Sequence, residues 1–186
     1  MAARKMSSTM RKFLVASAVW LMVGDHAWAG NDYVNPVTML FPPNEVLCSQ
    51  VDNHRLDVGA SCVASIKAEI SENAVGLHLQ ASGEYIVSVV GKQAWYDASH
   101  EHIAPKGAPG TWLMNLFALL KKNRDAKWFA LIAEIKGVDK CHLHDLSESP
   151  NLLAEEDGPL VLYANDARGF YWNNQGEIAV TISRKK

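Results

Sequence analysis

The amino-acid sequence predicts an all-β protein, an antiparallel β-sandwich or jelly roll with one short helix near residues 111–122. Two observations carry this prediction. In several short segments apolar residues recur at every second position, which is the period of a half-buried strand. Turn-forming pairs such as Ser82-Gly83, Asp157-Gly158 and Gln175-Gly176 separate these segments. Many short strands divided by turns are typical of sandwiches and jelly rolls.

Six segments show the strand pattern. The clearest is SCVASIKAEIS, where Cys62, Ala64 and Ile66 alternate with more polar residues. The predicted strands are 61–71, 75–81, 84–91, 128–137, 159–165 and 177–183. We expect seven or eight strands in all, because these segments fill most of the chain after residue 60.

The segment 110–123, GTWLMNLFALLKKN, has a different period. Its large apolar residues recur at i, i+4 and i+7 among good helix formers, and Lys121-Lys122 follows them. A short amphipathic helix is therefore predicted here.

Residues 1–29 have the order of a secretory signal peptide. A basic start precedes the apolar run 13–23, and Ala27-Trp28-Ala29 supplies a small-x-small cleavage site. The run is shorter than the roughly 20 residues that span a bilayer, although an uncleaved anchor is the alternative. We predict cleavage after Ala29 and a periplasmic or secreted protein. Residues 30–186 are then a single domain without a transmembrane segment.

The charge of that domain argues against nucleic acid as a partner. Cleavage removes four of the 18 Lys and Arg residues and one of the 20 Asp and Glu residues, which leaves a net charge of −5. No basic stripe remains, and an acidic surface suits cations and neutral ligands better. The oligomeric state is not predicted.

Three cysteines, Cys48, Cys62 and Cys141, lie in the predicted domain. An exported chain meets an oxidising compartment, so a disulfide is expected. Cys48 with Cys62 is the preferred pair because they are close in sequence, but any of the three pairings is open. Closing a loop of about 15 residues would stabilise the fold by roughly 3 kcal/mol.

Two His-x-His pairs suggest an alternative function, that of a metal-dependent hydrolase. His100 and His102 form one pair, and His142 and His144 form the other. On a strand, residues i and i+2 share a face, so either pair could bind zinc with a third ligand. Glu155-Glu156-Asp157 is better interpreted as an acidic turn than as an acid–base pair, and no catalytic motif occurs.

The stretch NDARGFYWNNQGEIAVTIS gathers oxygen-bearing side chains before a strand. Asp166, Asn173 and Asn174 supply three side-chain oxygens, and calcium takes six to eight oxygen ligands. An Asx-rich turn is the alternative on composition alone. Of the tryptophans, Trp95, Trp112 and Trp128 are expected in the core, whereas Trp172 has polar neighbours.

The segment LVLYANDARGFYWNNQGEIAVTIS resembles the C-terminal signature of the PA-IL-like bacterial lectins, which bind galactose through calcium. In that family a strand ends in Asn-Asp, a short loop follows, and Asn-Asn-x-Gly precedes the closing strand. Here these are Asn165-Asp166 and Asn173-Asn174-Gln175-Gly176. The resemblance extends over about residues 82–184 and is sharpest over the last two dozen.

The resemblance implies a galactose-binding-like β-sandwich and a set of site residues. Asp166, Asn173 and Asn174 would bind calcium through their side chains. Phe170 would bind through its main-chain carbonyl, and so would Trp95 or Tyr96. Sugar hydroxyls would complete the calcium shell. The ligand-binding residues implied are Asp166, Asn173, Trp172 and Tyr171, the last two as aromatic surfaces for the sugar ring.

One departure from the family is clear, because its sugar-contacting His and Gln have no counterpart in residues 108–125. We therefore predict an exported, non-catalytic, lectin-like protein that uses calcium to bind a carbohydrate, with galactose-like sugars as the first class to test. The alternative is a periplasmic interaction or structural module of the same fold that binds no sugar.

Overall fold

The computed structural model describes residues 45–98 and 100–186, so the predicted signal peptide and its cleavage site lie outside the described residues. Within them the chain forms twelve strands. In chain order these are β1 (Ser61–Lys67), β2 (Asn73–Leu79), β3 (Glu84–Val89), β4 (Ala94–Asp97), β5 (His100–Ile103), β6 (Lys106–Ala108), β7 (Trp128–Lys136), β8 (Cys141–Asp145), β9 (Asn151–Leu153), β10 (Gly158–Ala164), β11 (Asn174–Gln175) and β12 (Glu177–Arg184).

The strands form two main antiparallel sheets and one small sheet. The first sheet has the order β1-β12-β3-β9. In the second sheet β10 lies between β2 and β7, while β6 and β8 pair with opposite ends of β7. The third sheet has the order β11-β4-β5. This arrangement confirms the predicted all-β, antiparallel sandwich.

The core lies between the two main sheets. Ile66 of β1 and Val180 of β12 face Leu131 of β7 and Leu162 of β10 within one buried apolar cluster. Each fully buried side chain of this size contributes about 1.5–3 kcal/mol. Strand β7 is buried on both faces, since eight of its nine residues are inaccessible. This explains why its sequence is almost continuously apolar.

All six predicted strands are present, with ends that shift by a few residues. The short strands β4, β5, β6, β8, β9 and β11 were not predicted individually. Most of these are three to five residues long and expose much of their surface, so they lack the apolar alternation that identifies a strand from sequence.

The helix is shorter than the predicted 111–122. Helix α1 spans Trp112–Leu116, and a 3₁₀ turn follows at Ala118–Leu120. Thr111 caps α1, since its Oγ1 accepts a hydrogen bond from the Met114 N–H at 3.3 Å. Phe117, at φ −99° and ψ 9°, ends the helix. The Trp112 side chain is 76% exposed, which contradicts its predicted core position.

The disulfide joins Cys48 to Cys62, as preferred from the sequence. Both cysteines are buried, and the Val63 N–H donates to the Val46 carbonyl at 2.9 Å. The bond therefore attaches residues 46–50 to β1. Cys141 is free and exposed. No helix within the described residues is long and apolar enough to span a membrane.

Candidate functional site

The loop between β10 and β12 passes from the second sheet to the first. Asn165 fixes its start: the Asn165 Oδ1 accepts from the Asn123 N–H at 2.9 Å, and its Nδ2 donates to the carbonyls of Asn123 at 2.8 Å and Lys127 at 2.9 Å. Because both ends of the amide are engaged, Asn165 has a structural role and is not a spare ligand.

Tyr171 supports the loop from below. Its hydroxyl donates to the Ala164 carbonyl at 2.9 Å, and the side chain is buried at the start of a 3₁₀ turn, Tyr171–Asn173. Burial raises the pKa of the Tyr171 hydroxyl, so it stays protonated. The loop then reaches Gly176 at φ +97°, where a Cβ would lie 3.2 Å from the Trp95 Cα. Glycine thus permits the close approach of β4.

Four oxygen-bearing side chains meet where the loop joins β4. We call Asp97, Asp166, Asn173 and Asn174 the oxygen cluster. The Asn174 Nδ2 donates to Asp166 Oδ2 at 2.9 Å, and the Asn173 Nδ2 donates to Asp97 Oδ1 at 2.7 Å. The pairing of β11 with β4 places Asn174 opposite Asp97. Two carboxylates are therefore connected to two adjacent amides.

The amide oxygens of this cluster lack partners. The Oδ1 atoms of both Asn173 and Asn174 are buried and accept no hydrogen bond from the described part of the chain. Their Nδ2 groups are already committed to carboxylates, and that of Asn174 also reaches the Ala68 carbonyl at 3.3 Å. Since an unsatisfied buried polar atom is costly, both oxygens are available to a ligand that supplies positive charge.

The electrostatics of the cluster favour a cation. Asp166 is only 4% exposed, and burial raises the pKa of its carboxyl group. The negative charge of Asp97 raises that pKa further, while hydrogen bonds from Asn174 and the Ala167 N–H oppose the rise. Within residues 45–98 and 100–186, no Lys or Arg forms an ion pair with either carboxylate. A hard divalent cation would supply the missing positive charge.

The structure brings most of the predicted calcium ligands together. Asp166, Asn173 and Asn174 share the oxygen cluster, and Phe170 is on the same loop, where its carbonyl accepts from the Asn173 N–H at 3.2 Å. Trp95 and Tyr96 lie on β4, with Tyr96 opposite Gln175. The Trp95 side chain is buried and donates to the Phe129 carbonyl at 3.0 Å, so only its main chain could serve a cation.

Asp97 is the residue that sequence reasoning missed. The sequence drew attention to Trp95 and Tyr96 as carbonyl donors but not to the carboxylate that follows them. Its role depends on the register of β4 against β11, which places it beside Asn174. The sequence feature that could have identified Asp97 is its position directly after Trp95 and Tyr96, at the end of a predicted loop.

Trp172 lines a cleft to which no residue of the oxygen cluster contributes. Its side chain is 75% exposed and borders an open cleft of about 440 Å³, which we call the Trp172 cleft. The cleft is lined by Ser71, Glu72, Lys122, Arg168, Gly169, Tyr171 and Trp172. Of the predicted ligand-binding residues, Trp172 and Tyr171 therefore line this cleft, whereas Asp166 and Asn173 belong to the oxygen cluster.

The two His-x-His pairs are not brought together. His100 and His102 lie on β5, and His142 and His144 lie on β8 in another sheet. His102 stacks on Phe129, with ring centroids 4.3 Å apart, and burial lowers the pKa of its imidazole. No three His, Cys, Asp or Glu side chains within the described ranges are grouped closely enough to hold a metal ion.

The acidic turn after β9 contacts one of these histidines. His142 is buried against Glu155, and its Nε2 lies 3.2 Å from Glu156 Oε1. Asp157 instead accepts from the Ala81 N–H at 2.8 Å. The turn predicted as acidic therefore contacts β8 and the residues just after β2 through its side chains.

Comparison with known proteins adds a likeness to solved structures. No protein-family model matches the chain, and no curated protein matches its sequence. Among solved structures the chain is similar to one described as "EclA N-terminal domain; PllA-like lectin", with 15% sequence identity and a TM-score of 0.45. The match covers 66% of this chain and 94% of that chain. The strand pairing and the buried core described above establish the all-β fold.

Proposed function

We propose that this protein is a non-catalytic carbohydrate-binding protein that holds a calcium ion at the oxygen cluster. The observation that carries the proposal is the pair of orphaned amide oxygens on Asn173 and Asn174, buried beside two carboxylates without a cation. Hard oxygen donors of this mixed carboxylate and amide type are the ligands that calcium prefers. The residues present thus fit the ion that the sequence resemblance implies.

Each residue of the cluster has a distinct part in this proposal. Asp166, Asn173 and Asn174 bind the ion through side-chain oxygens, and the carbonyls of Phe170 and of Trp95 or Tyr96 add main-chain oxygens. Asp97 acts on the ion indirectly, since it accepts from the Asn173 Nδ2 and so orients the amide oxygen toward the site. Sugar hydroxyls then complete the calcium shell, and Asp166 and Asn173 hydrogen-bond them.

Thermal unfolding with and without calcium tests the calcium site. A ligand that binds only the folded state, at 100 times its Kd, stabilises by about 2.7 kcal/mol. For a domain of this size that corresponds to a rise in Tm of about 5–11 °C. We expect EDTA to reverse the rise and Asp166→Ala to abolish it. Asp139→Ala is the matched control, because it removes an exposed carboxylate that does not belong to the oxygen cluster. An unresponsive wild type, or a responsive Asp166→Ala variant, contradicts the proposal.

A glycan array tests the sugar. We expect calcium-dependent binding of glycans that carry vicinal hydroxyls, with terminal galactose as the first class, and loss of binding in EDTA. A protein that binds calcium but no glycan on the array would instead be the non-lectin module of the same fold. The Asp166→Ala variant controls for sugar binding that does not use the ion.

We also propose that the protein is exported, to the periplasm or out of the cell. The disulfide between two buried cysteines supports this, because such bonds persist in oxidising compartments. Mass spectrometry of the protein recovered from periplasm and medium is expected to give an N-terminus at Gly30. Recovery only as the full-length chain in the cytoplasm or membrane would contradict export.

A further inference from the structure

The Trp172 cleft has features of a binding site that the oxygen cluster does not share. Its volume of about 440 Å³ is within the usual range for small-molecule sites. None of Asp97, Asp166, Asn173 or Asn174 lines it. A ligand in the cleft would therefore touch none of the residues of the oxygen cluster.

One wall of the cleft is an exposed aromatic surface. The Trp172 side chain is three-quarters accessible, and polar Asn173 and Asn174 follow it in the loop. Such a surface gains free energy when an apolar face covers it. The C–H face of a pyranose ring offers a flat apolar surface of the appropriate size.

Glu72 and Lys122, which also line the cleft, belong to a network of charges that neutralise one another. Lys122 Nζ lies 2.9 Å from Glu72 Oε1 and 3.0 Å from Glu134 Oε2, and Glu72 also contacts Lys136. These two cations and two anions form a closed network. Lys122 Nζ also donates to the Ser71 carbonyl at 3.1 Å, so its three donors face protein oxygens. The more exposed Glu72 carboxylate is therefore the acceptor that this network presents to a hydroxyl group.

Arg168 is the unbalanced charge of the cleft. The main-chain N–H of Arg168 donates to the Leu120 carbonyl at 2.8 Å, which fixes the backbone at this position. Its exposed guanidinium group, in contrast, has neither an acceptor nor an ion-pair partner within the described residues. A guanidinium group presents paired donors that match a carboxylate in a bidentate arrangement. The cleft thus combines an aromatic face, hydroxyl partners and one free carboxylate-binding group.

We propose that the Trp172 cleft binds a carboxylate-bearing sugar ring, a hexuronic acid. In this arrangement the ring stacks on Trp172, its carboxylate pairs with Arg168, and its hydroxyls donate to the Glu72 carboxylate. The site extends the range of ligands beyond the neutral sugars of the proposed calcium site, and it operates without calcium.

NMR titration of the ¹⁵N-labelled protein in EDTA tests this site. The probes are methyl β-D-glucuronide, its neutral counterpart methyl β-D-glucoside, and acetate. We expect the glucuronide to shift the Trp172 indole N–H, which Trp172→Phe identifies by its loss, and to bind at least about tenfold more tightly than the glucoside. Acetate alone is expected to leave the indole signal in place, because it has no ring to stack.

Matched variants distinguish specific recognition of the carboxylate by Arg168 from a general effect of the protein's net charge. Arg168→Gln is expected to weaken glucuronide binding at least about tenfold while leaving glucoside binding unchanged. Arg55→Gln makes the same charge change outside the cleft and is expected to have no effect. Equal affinity for glucuronide and glucoside, an unchanged affinity in Arg168→Gln, or a shift that appears only with calcium would each overturn the proposal. None of these outcomes depends on calcium binding at the oxygen cluster.

Discussion

Replacing Lys122 with methionine tests how far buried Glu134 depends on its partner. The Lys122 Nζ is 3.0 Å from Glu134 Oε2, and their side chains are only 12% and 7% exposed. Methionine keeps an apolar stem of similar length but leaves the Glu134 carboxylate buried without a cation. Removing one member of a buried ion pair costs about 3–5 kcal/mol, so we expect a loss of that size in the free energy of unfolding. Loss of the ammonium group over the Tyr163 ring, at 3.9 Å, acts in the same direction.

Urea and thermal unfolding measure this loss, which corresponds to a fall in Tm of about 6–20 °C. The double variant Lys122→Met, Glu134→Leu is expected to recover most of it, because no buried charge then remains unpaired. Lys127→Met is the matched control, since Lys127 pairs with Glu148 at 3.2 Å on the surface, where the side chains are 51% and 70% exposed. That variant is expected to lose less than about 1 kcal/mol. A Lys122→Met variant no less stable than Lys127→Met would refute the reasoning.

Three further predictions concern the disulfide, a buried histidine and the oxygen cluster. Cys48→Ala with Cys62→Ala opens a loop whose ends are 14 residues apart, so urea unfolding should show a loss of about 3 kcal/mol; no change in the urea midpoint would contradict this. Burial lowers the pKa of His144 in the fold, so the unfolded state binds more protons below about pH 6.5 and the free energy of unfolding falls as the pH drops. His144→Asn should make that fall shallower between pH 7.5 and 5.5, and an identical pH profile would count against the prediction. In EDTA at pH 7, Asp166→Asn should melt at the wild-type temperature or above it, because burial disfavours the charged form of the carboxylate that it removes and so raises the pKa of that group. The variant should gain no stability from calcium, and a melting temperature in EDTA below that of the wild type would contradict this prediction.

The main strands could be predicted because their burial leaves a direct pattern in the sequence. In β1, Cys62, Ala64 and Ile66 point into the core at every second position, and β7 is apolar throughout because both its faces are covered. Strands β5 and β8 leave no such pattern, since each buries only one residue deeply. Each pairs with the strand just before it, β4 or β7, so it is held by main-chain hydrogen bonds of a hairpin that leave no apolar alternation in the sequence.

The helical segment has a periodic apolar pattern, but the structure neither extends the helix over the whole pattern nor buries its apolar side. Residues 112–120 have helical spacing, but α1 ends at Leu116. The apolar side chains of Trp112 and Leu116 in α1, and of Leu119 in the 3₁₀ turn, are exposed. The spacing alone does not say whether a partner surface exists for the apolar stripe. Here only Met114 and Ala118 pack against the core.

Only the part of the site that lies within one short stretch of sequence could be predicted. Asp166, Asn173 and Asn174 lie within nine residues of one another, so their spacing in the sequence already suggested a shared role. Asp97 is 69 residues away from Asp166 along the chain and joins them only through the pairing of β4 with β11. The proposed role of Arg168 likewise required the structure, which places it in one cleft with Lys122 and Glu72. Trp172, in contrast, was already expected from the sequence to offer an aromatic surface to a sugar.

The path of the loop that carries the oxygen cluster has a consequence for how the protein opens. The loop leaves β10 in one main sheet and enters β12 in the other, while the Asn174 amide also reaches the Ala68 carbonyl just after β1. An ion bound there would act as a crosslink between the two layers of the sandwich. The sheets could not separate without releasing it, so occupancy would govern the rate of unfolding and the resistance of the chain to proteases. A peptide of residues 158–184 alone would lack Asp97 and the opposing sheet, and with them the site.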